Sequence, residues 1–163
     1  MGEIKSLEEL KELRNLWRKE GKKLVFTNGC FDLVHIGHIR YLKKAKELGD
    51  YLVIGLNTDQ SVRRIKGEKR PILPEDERAE ILCSFWFVDY VVFFDEDTPE
   101  KLIKEIEPDV LVKGADWKLE EIVGADFVLK KGGEVKRIEL EQGKSTTAII
   151  NEILRRYCPD FGK

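Results

Sequence analysis

Both histidines of the chain fall in one four-residue stretch, His35-Ile36-Gly37-His38. They follow an apolar run, Leu24-Val25-Phe26, that reads as a buried strand, and they precede a helical pattern. Open α/β sheets bind nucleotides at such junctions, because the first N–H groups of the helix lack partners and its dipole favours negative charge. Two imidazoles flanking Gly37 can point N–H donors at phosphate oxygens, and the glycine lets the backbone come close. A bare H-x-G-H also arises by chance, as a turn whose histidines happen to be neighbours. The residues around it favour phosphate.

Three further stretches carry chemistry. Lys113-Gly114-Ala115-Asp116-Trp117 leaves an apolar run with a cation, a glycine, a carboxylate and an indole, a set that could hold a base and a ribose. Taken alone it is also an ordinary turn with a packed ring. Gly143-Lys144-Ser145-Thr146-Thr147 reads as a helix N-cap and, compatibly, as an anion site. The basic run Arg63, Arg64, Lys66, Lys69, Arg70 contains Gly67 and is either a solvated loop or a mobile clamp over a polyphosphate. No cysteine or serine stands beside a histidine as nucleophile and base, so a covalent intermediate is not expected.

The elements that would position these residues alternate between strand and helix. Ser6 and Glu9 form a capping box ahead of a first helix with Leu7, Leu10, Leu13 and Leu16 as its stripe. Strands are expected at about Lys23–Asn28, Tyr51–Asn57, Val88–Phe94, Val110–Lys113 and Glu134–Leu140. Helices are expected around Ile39–Leu48, closed by Gly49 as a left-handed cap, after Asn57, from Pro74 to Phe85, from Thr98-Pro99 and stopping before Pro108, within Lys118–Lys131, and from Ser145 to about Arg156. This alternation implies a Rossmann-like, doubly wound α/β fold of about five parallel strands with helices on both faces. Ligands then gather beyond the carboxyl ends of the strands, where Thr27–His38, Asn57-Thr58-Asp59, Lys113–Trp117 and Gln142–Thr147 converge. The expected organisation is a single domain over 1–163, with an N-terminal helix in 1–22 and a core over 23–157.

Composition narrows the classes. The 163 residues carry 29 Lys and Arg against 31 Asp and Glu, a net charge of −2, which leaves no nucleic-acid footprint. Three scattered cysteines without a C-x-x-C pair suit reduced thiols in a cytoplasmic protein, and no apolar stretch is long enough to span a membrane. A charged fraction of 37%, with one Met, leans toward a thermophilic source.

The stretch Thr27-Asn28-Gly29-Cys30-Phe31-Asp32-Leu33-Val34-His35-Ile36-Gly37-His38 resembles the signature of the cytidylyltransferase-like nucleotidyltransferases, and Gly143–Thr147 resembles their second signature. Two subfamilies match from about Lys23 to Ile153: glycerol-3-phosphate cytidylyltransferase, and the adenylyltransferase that makes ADP-heptose from heptose 1-phosphate, often fused behind a sugar kinase. The segments Lys66–Pro71, Phe94–Pro99 and Leu111–Asp116 are similar to the heptose enzyme. The cytidylyltransferase pattern has an arginine before the second signature, where this chain has Leu140-Glu141-Gln142-Gly143, and another at the position of Trp86. No kinase domain precedes the transferase, so the chain is a stand-alone version or a domain of a longer protein.

The resemblance implies AMP transfer from ATP, accompanied by Mg²⁺, to a sugar 1-phosphate by direct in-line attack, as part of lipopolysaccharide core biosynthesis. His35, His38 and Lys66 would act on the triphosphate during the reaction. Thr27, Asn28, Gly29, Phe31, Gly37, Lys113, Gly114, Asp116, Trp117, Ser145 and Thr146 would bind the nucleotide. Asp32, Asn57 and Arg70 would face the acceptor, with Asp32 the nearest carboxylate to a metal, although no protein ligand is assigned. A cytidylyltransferase using CTP and a non-catalytic nucleotide-binding domain are the alternatives. A homo-oligomer and a sugar kinase partner stay open.

Overall fold

The computed structural model describes residues 1–158, so the last five residues of the expected 1–163 domain lie outside it. Among the described residues one parallel sheet contains six strands in the order β1-β4-β3-β2-β5-β6. These are β1 (Glu3–Ile4), β2 (Leu24–Gly29), β3 (Tyr51–Asn57), β4 (Tyr90–Phe94), β5 (Val110–Gly114) and β6 (Glu134–Ile138). Five were expected. The sixth, β1, is a two-residue edge strand paired with β4, and Gly2 N donates to the Cys83 carbonyl at 2.8 Å beside it. Two residues are too few for an alternating pattern to register in sequence.

The strands between the two ends read as apolar runs because both sheet faces are covered. On one face Val25, Leu52, Ile54, Val91 and Val110 pack with Leu42, Ala45, Ala79 and Leu82 from α2 (Ile36–Lys46) and α4 (Glu75–Cys83). On the other, Leu24, Phe26, Val53, Val92 and Leu111 pack with Leu10, Trp17, Leu102, Ile103 and Val128. Those side chains come from α1 (Leu7–Lys19), α5 (Glu100–Ile106) and α6 (Ala125–Lys130). Two more helices, α3 (Asp59–Lys66) and α7 (Thr146–Tyr157), follow strands β3 and β6.

Two local expectations need correction. The capping box of α1 is present, but the helix buries Leu10, Arg14 and Trp17 while Leu16 is half exposed. Leucines spaced every three residues drift off a 3.6-residue stripe, and the 10, 14, 17 set keeps to it. Gly49 is not a left-handed cap; α2 ends at Lys46 with Glu47 as its C-cap, and Gly49 lies outside the positive-φ residues. A Cβ there would meet Val25 Cγ2 at 2.7 Å and the Lys23 carbonyl oxygen at 3.0 Å, so glycine permits a close passage of chains rather than a turn. Smaller shifts are in boundaries: β4 begins at Tyr90, β6 stops at Ile138, and the stretch before α6 is a 3₁₀ turn, Leu119–Glu121.

Strand β2 has β3 on one side and β5 on the other, and the chain leaves β2 toward β3 and β4 before crossing back to β5 and β6. The order therefore reverses between β2 and β5. A crevice at the carboxyl ends of those strands is the ligand position that this topology provides.

Candidate active site

A cavity of about 620 Å³ opens at that place, lined by strand-end residues Asn28, Gly29, Asn57, Lys113 and Gly114. The histidine pair forms part of its wall. His35 is the N-cap of α2, and its Nδ1 accepts the backbone N–H of Gly37 at 3.1 Å. His38 Nδ1 in turn accepts the backbone N–H of His35 at 3.4 Å. A neutral imidazole has one donor and one acceptor nitrogen, so each ring is left with its proton on Nε2. The rings stack with centroids 3.8 Å apart, and Phe31 lies 5.1 Å from His38. Gly37 is required because a Cβ would strike the His35 ring at 2.9 Å. Phe31 adopts φ +44°, folding its ring against Gly29, where a Cβ would sit 2.9 Å from it.

Burial lowers His38 to about 4, aided by neighbouring His35. Burial and then the Lys144 ammonium lower His35. Both rings are therefore neutral near pH 7, each offering one Nε2–H. The sequence stretch left their protonation open, and it did not show that the rings also cap the helix that carries them.

Of the seventeen residues given roles in reaction, nucleotide binding or acceptor binding, all but Thr27 line the cavity, whereas Arg63, Arg64 and Lys69 of the basic run do not. Thr27 is fully buried, and its hydroxyl pairs with Tyr41 OH at 2.8 Å. It faces the core because alternate residues of β2 point to opposite faces of the sheet. Tyr41 itself reaches the cavity one turn after His38. That i, i+3 spacing was its only signal in the sequence.

The acidic and basic groups expected to meet substrate are largely engaged with each other. Asp32 is buried and accepts from Arg70 Nε at 2.5 Å, Ile72 N at 2.8 Å and Leu73 N at 3.0 Å. Burial alone would raise its carboxyl, but the Leu73 and Ile72 amides and the Arg70 guanidinium outweigh it and hold it below the usual range. It offers no free oxygen to a metal, which corrects its assignment as the nearest metal-facing carboxylate.

Arg70 is correspondingly pinned, and with the amides of Ile72 and Leu73 it ties the end of this segment to Asp32. Buried Arg78 adds a second anchor: it donates to the carbonyls of Leu73 and Cys30 and to Asp59. Lys66 is not in a loop. It is the last residue of α3, followed by Gly67 at φ +99°, and it is exposed at the cavity wall with no ion pair among the described residues.

Asn57 is buried and donates to Ser61 Oγ at 2.9 Å. Cys30 Sγ lies 4.0 Å from the Asn57 side-chain oxygen, and burial pushes its thiol up, so it is a weak nucleophile.

From β5, Lys113 hydrogen-bonds Asn28 Oδ1, and its Nζ sits 6.0 Å from the Trp117 ring centroid. Gly114 has no room for a Cβ against Leu140 Cδ1 at 2.8 Å. Asp116 and Trp117 are exposed at the rim. At the start of α7, Ser145 caps the helix by accepting Ala148 N at 3.0 Å. Thr146 is buried; its hydroxyl donates to the Leu33 carbonyl at 3.3 Å and is placed to accept Leu33 N at 3.4 Å. That hydroxyl joins the last helix to the histidine loop, so it is not free for a phosphate. Lys144, quoted in the second signature without a role, also lines the cavity, as do Asp97, Thr98 and Pro99.

The cytidylyltransferase-like family model matches residues 26–152. The chain is 54% identical over 154 residues to a bifunctional protein HldE from Citrifermentans bemidjiense, and 59% identical over 150 residues to one from Campylobacter concisus. These alignments take in 94% and 92% of this chain, which spans only about a third of those relatives' length. Among solved structures, the lipopolysaccharide core biosynthesis protein of Thermoplasma volcanium superposes with a TM-score of 0.61 at 34% identity, over 74% of this chain and 98% of the other. A pantoate–β-alanine ligase from Francisella tularensis superposes with a TM-score of 0.59 at 17% identity, over 95% and 79%, which shows a shared fold. A parallel sheet with a histidine-capped helix at its switch point, matched over most of its length, identifies this chain as a member of the cytidylyltransferase-like family, a nucleotidyltransferase.

Proposed function

We propose that the chain transfers AMP from ATP to a heptose 1-phosphate, releasing pyrophosphate and forming ADP-heptose in lipopolysaccharide core biosynthesis. The observation that carries the reaction type is the pair of Nε2–H donors fixed by the backbone at the start of α2. The choice of acceptor is supported by the 54–59% identity to proteins named HldE and by the heptose-type segments. The longer relatives support a sugar kinase domain or partner acting with this one.

The acceptor phosphate is already ionised at neutral pH and needs no base. One of its oxygens forms a bond to the α-phosphorus of ATP while the bond from that phosphorus to the bridging oxygen breaks, and the electron pair leaves with pyrophosphate. Catalysis then consists of in-line placement and of stabilising charge that builds on the leaving group. His35 and His38 donate their Nε2–H groups to the triphosphate, Lys66 and Lys144 supply positive charge at the rim, and the start of α7 faces the same anion. Mg²⁺ accompanying ATP would be held by phosphate oxygens and water and would offset charge on the leaving pyrophosphate; Asp32, engaged by Arg70, is not free to hold it. Asn28, Gly29, Gly114, Asp116 and Trp117 provide the surface for nucleoside.

The test is a pyrophosphate-release assay with ATP and CTP against a panel of sugar and polyol phosphates. Release with ATP and a heptose 1-phosphate supports the reading. Release only with CTP and glycerol 3-phosphate replaces it with cytidylyl transfer, and no release with any pair leaves a binding domain.

A further inference from the structure

The switch point holds one cation to which the mechanism above gives no task. Lys113 leaves the carboxyl end of β5 beside Asn28 at the end of β2, across the crevice where strand order reverses. Its ammonium has three donors, and the Asn28 amide oxygen takes one. No carboxylate among the described residues lies within ion-pair distance of it. An ammonium taken out of water without a counter-ion is costly, and burial lowers Lys113 to about 8, with Asp116 and Cys30 opposing that fall. Trp117 from its own loop walls off one side at 6.0 Å. Its register neighbour on β6, Arg137, is turned to the Trp117 carbonyl. The group is thus a preformed cation, half satisfied and open to the cavity.

The other charges apportion themselves. His35, His38, Lys66, Lys144 and the start of α7 surround the opening where the triphosphate would lie. Arg70, the sequence candidate for the acceptor, is bound to Asp32. A sugar phosphate carries up to two negative charges into the same cavity and needs a cation of its own. We propose that Lys113, oriented by Asn28, binds the phosphate of the acceptor and sets its attacking oxygen against the α-phosphorus. This rests on the reading of nucleotidyl transfer to a sugar phosphate, and it gives Lys113 a role distinct from holding base and ribose. Asn28 is then a positioning residue.

Lys113→Met keeps the length and the apolar stem and removes the charge. The protein and the variant are titrated with a non-hydrolysable ATP analogue, then, at saturating analogue, with inorganic phosphate and with heptose 1-phosphate. The expected result is a loss of about tenfold or more in affinity for phosphate and for the sugar phosphate. Affinity for the analogue should stay within about threefold. Asn28→Ala should raise the KM for acceptor by more than it raises the KM for ATP. The proposal is overturned if phosphate binds both proteins equally, if the unsubstituted protein binds no phosphate, or if the analogue loses as much affinity as the acceptor. Should the Met variant fail to fold, Lys113→Gln carries the same titrations. If inorganic phosphate binding depends on Lys113 but no heptose 1-phosphate is turned over, the acceptor assignment falls and the phosphate site stands.

Discussion

Each histidine does two jobs through its two nitrogens. Nδ1 takes a backbone N–H at the start of α2, and Nε2 is left for the cavity. Removing a ring should therefore cost turnover and some stability together. His35→Ala and His38→Ala should each lower kcat by roughly 10²–10³, the scale of a lost oxyanion donor. The lost cap should add about 1 kcal/mol of destabilisation, or roughly 2–4 °C in melting temperature for a chain of this size. His35→Asn separates the two, because asparagine caps well but presents no Nε2–H: its melting temperature should stay near normal while kcat falls.

The same geometry sets a pH dependence. His38 is held at about 4 in the folded protein against 6.5 in the unfolded chain. Between those values the unfolded state binds a proton that the folded state does not, so stability rises with pH through this window and is lost as pH falls from 6.5 toward 4. His35, also lowered, acts in the same direction. Thermal melts of the protein and of His38→Asn across that range should show a steeper acid loss in the histidine form; parallel curves would contradict it. The paired H-x-G-H was legible in sequence, but its capping role was not. Histidine is not among the usual caps, and the backbone contacts that make it one appear only when Gly37 lets the ring fold back.

Elements carry the rest of the site, and here sequence and structure diverge most. The strand ends were readable because both-face burial writes continuous apolar runs, so Asn28, Asn57 and Lys113 could be placed at one rim from sequence. The segment after α3 could not. Its glycine and its cations suggested motion, yet Asp32, 38 residues before Arg70, clamps it from β2's following loop. Nothing local marks such a pairing. What remains free is Lys66 at the end of α3, which lines the same cavity as Ser145, the N-cap of α7. Lys66→Ala should lower kcat by about tenfold with a smaller change in ATP affinity, since its contact strengthens as charge builds on the leaving group. Ser145→Ala should weaken ATP binding and cost about 1 kcal/mol of stability through the lost cap. ATP titrations beside steady-state kinetics distinguish them. An unchanged kcat in Lys66→Ala would make that end of α3 plain solvated surface.

At the scale of the molecule, the doubly wound sheet was evident from alternating strand and helix patterns, and the edge strand β1 was missed because two residues leave no period to read. The sheet brings the ends of β2, β3 and β5 and the starts of α2 and α7 to one cavity. What the fold leaves open is which base and which acceptor fill the site. Adenine and cytosine differ in size and in hydrogen-bonding edge, so a site built for one leaves polar groups unpaired with the other. The most direct measurement is kcat/KM for pyrophosphate release with heptose 1-phosphate as acceptor, ATP against CTP. The account predicts a preference for ATP of at least about tenfold, roughly 1.4 kcal/mol; equal use of the two nucleotides, or a preference for CTP, would contradict it.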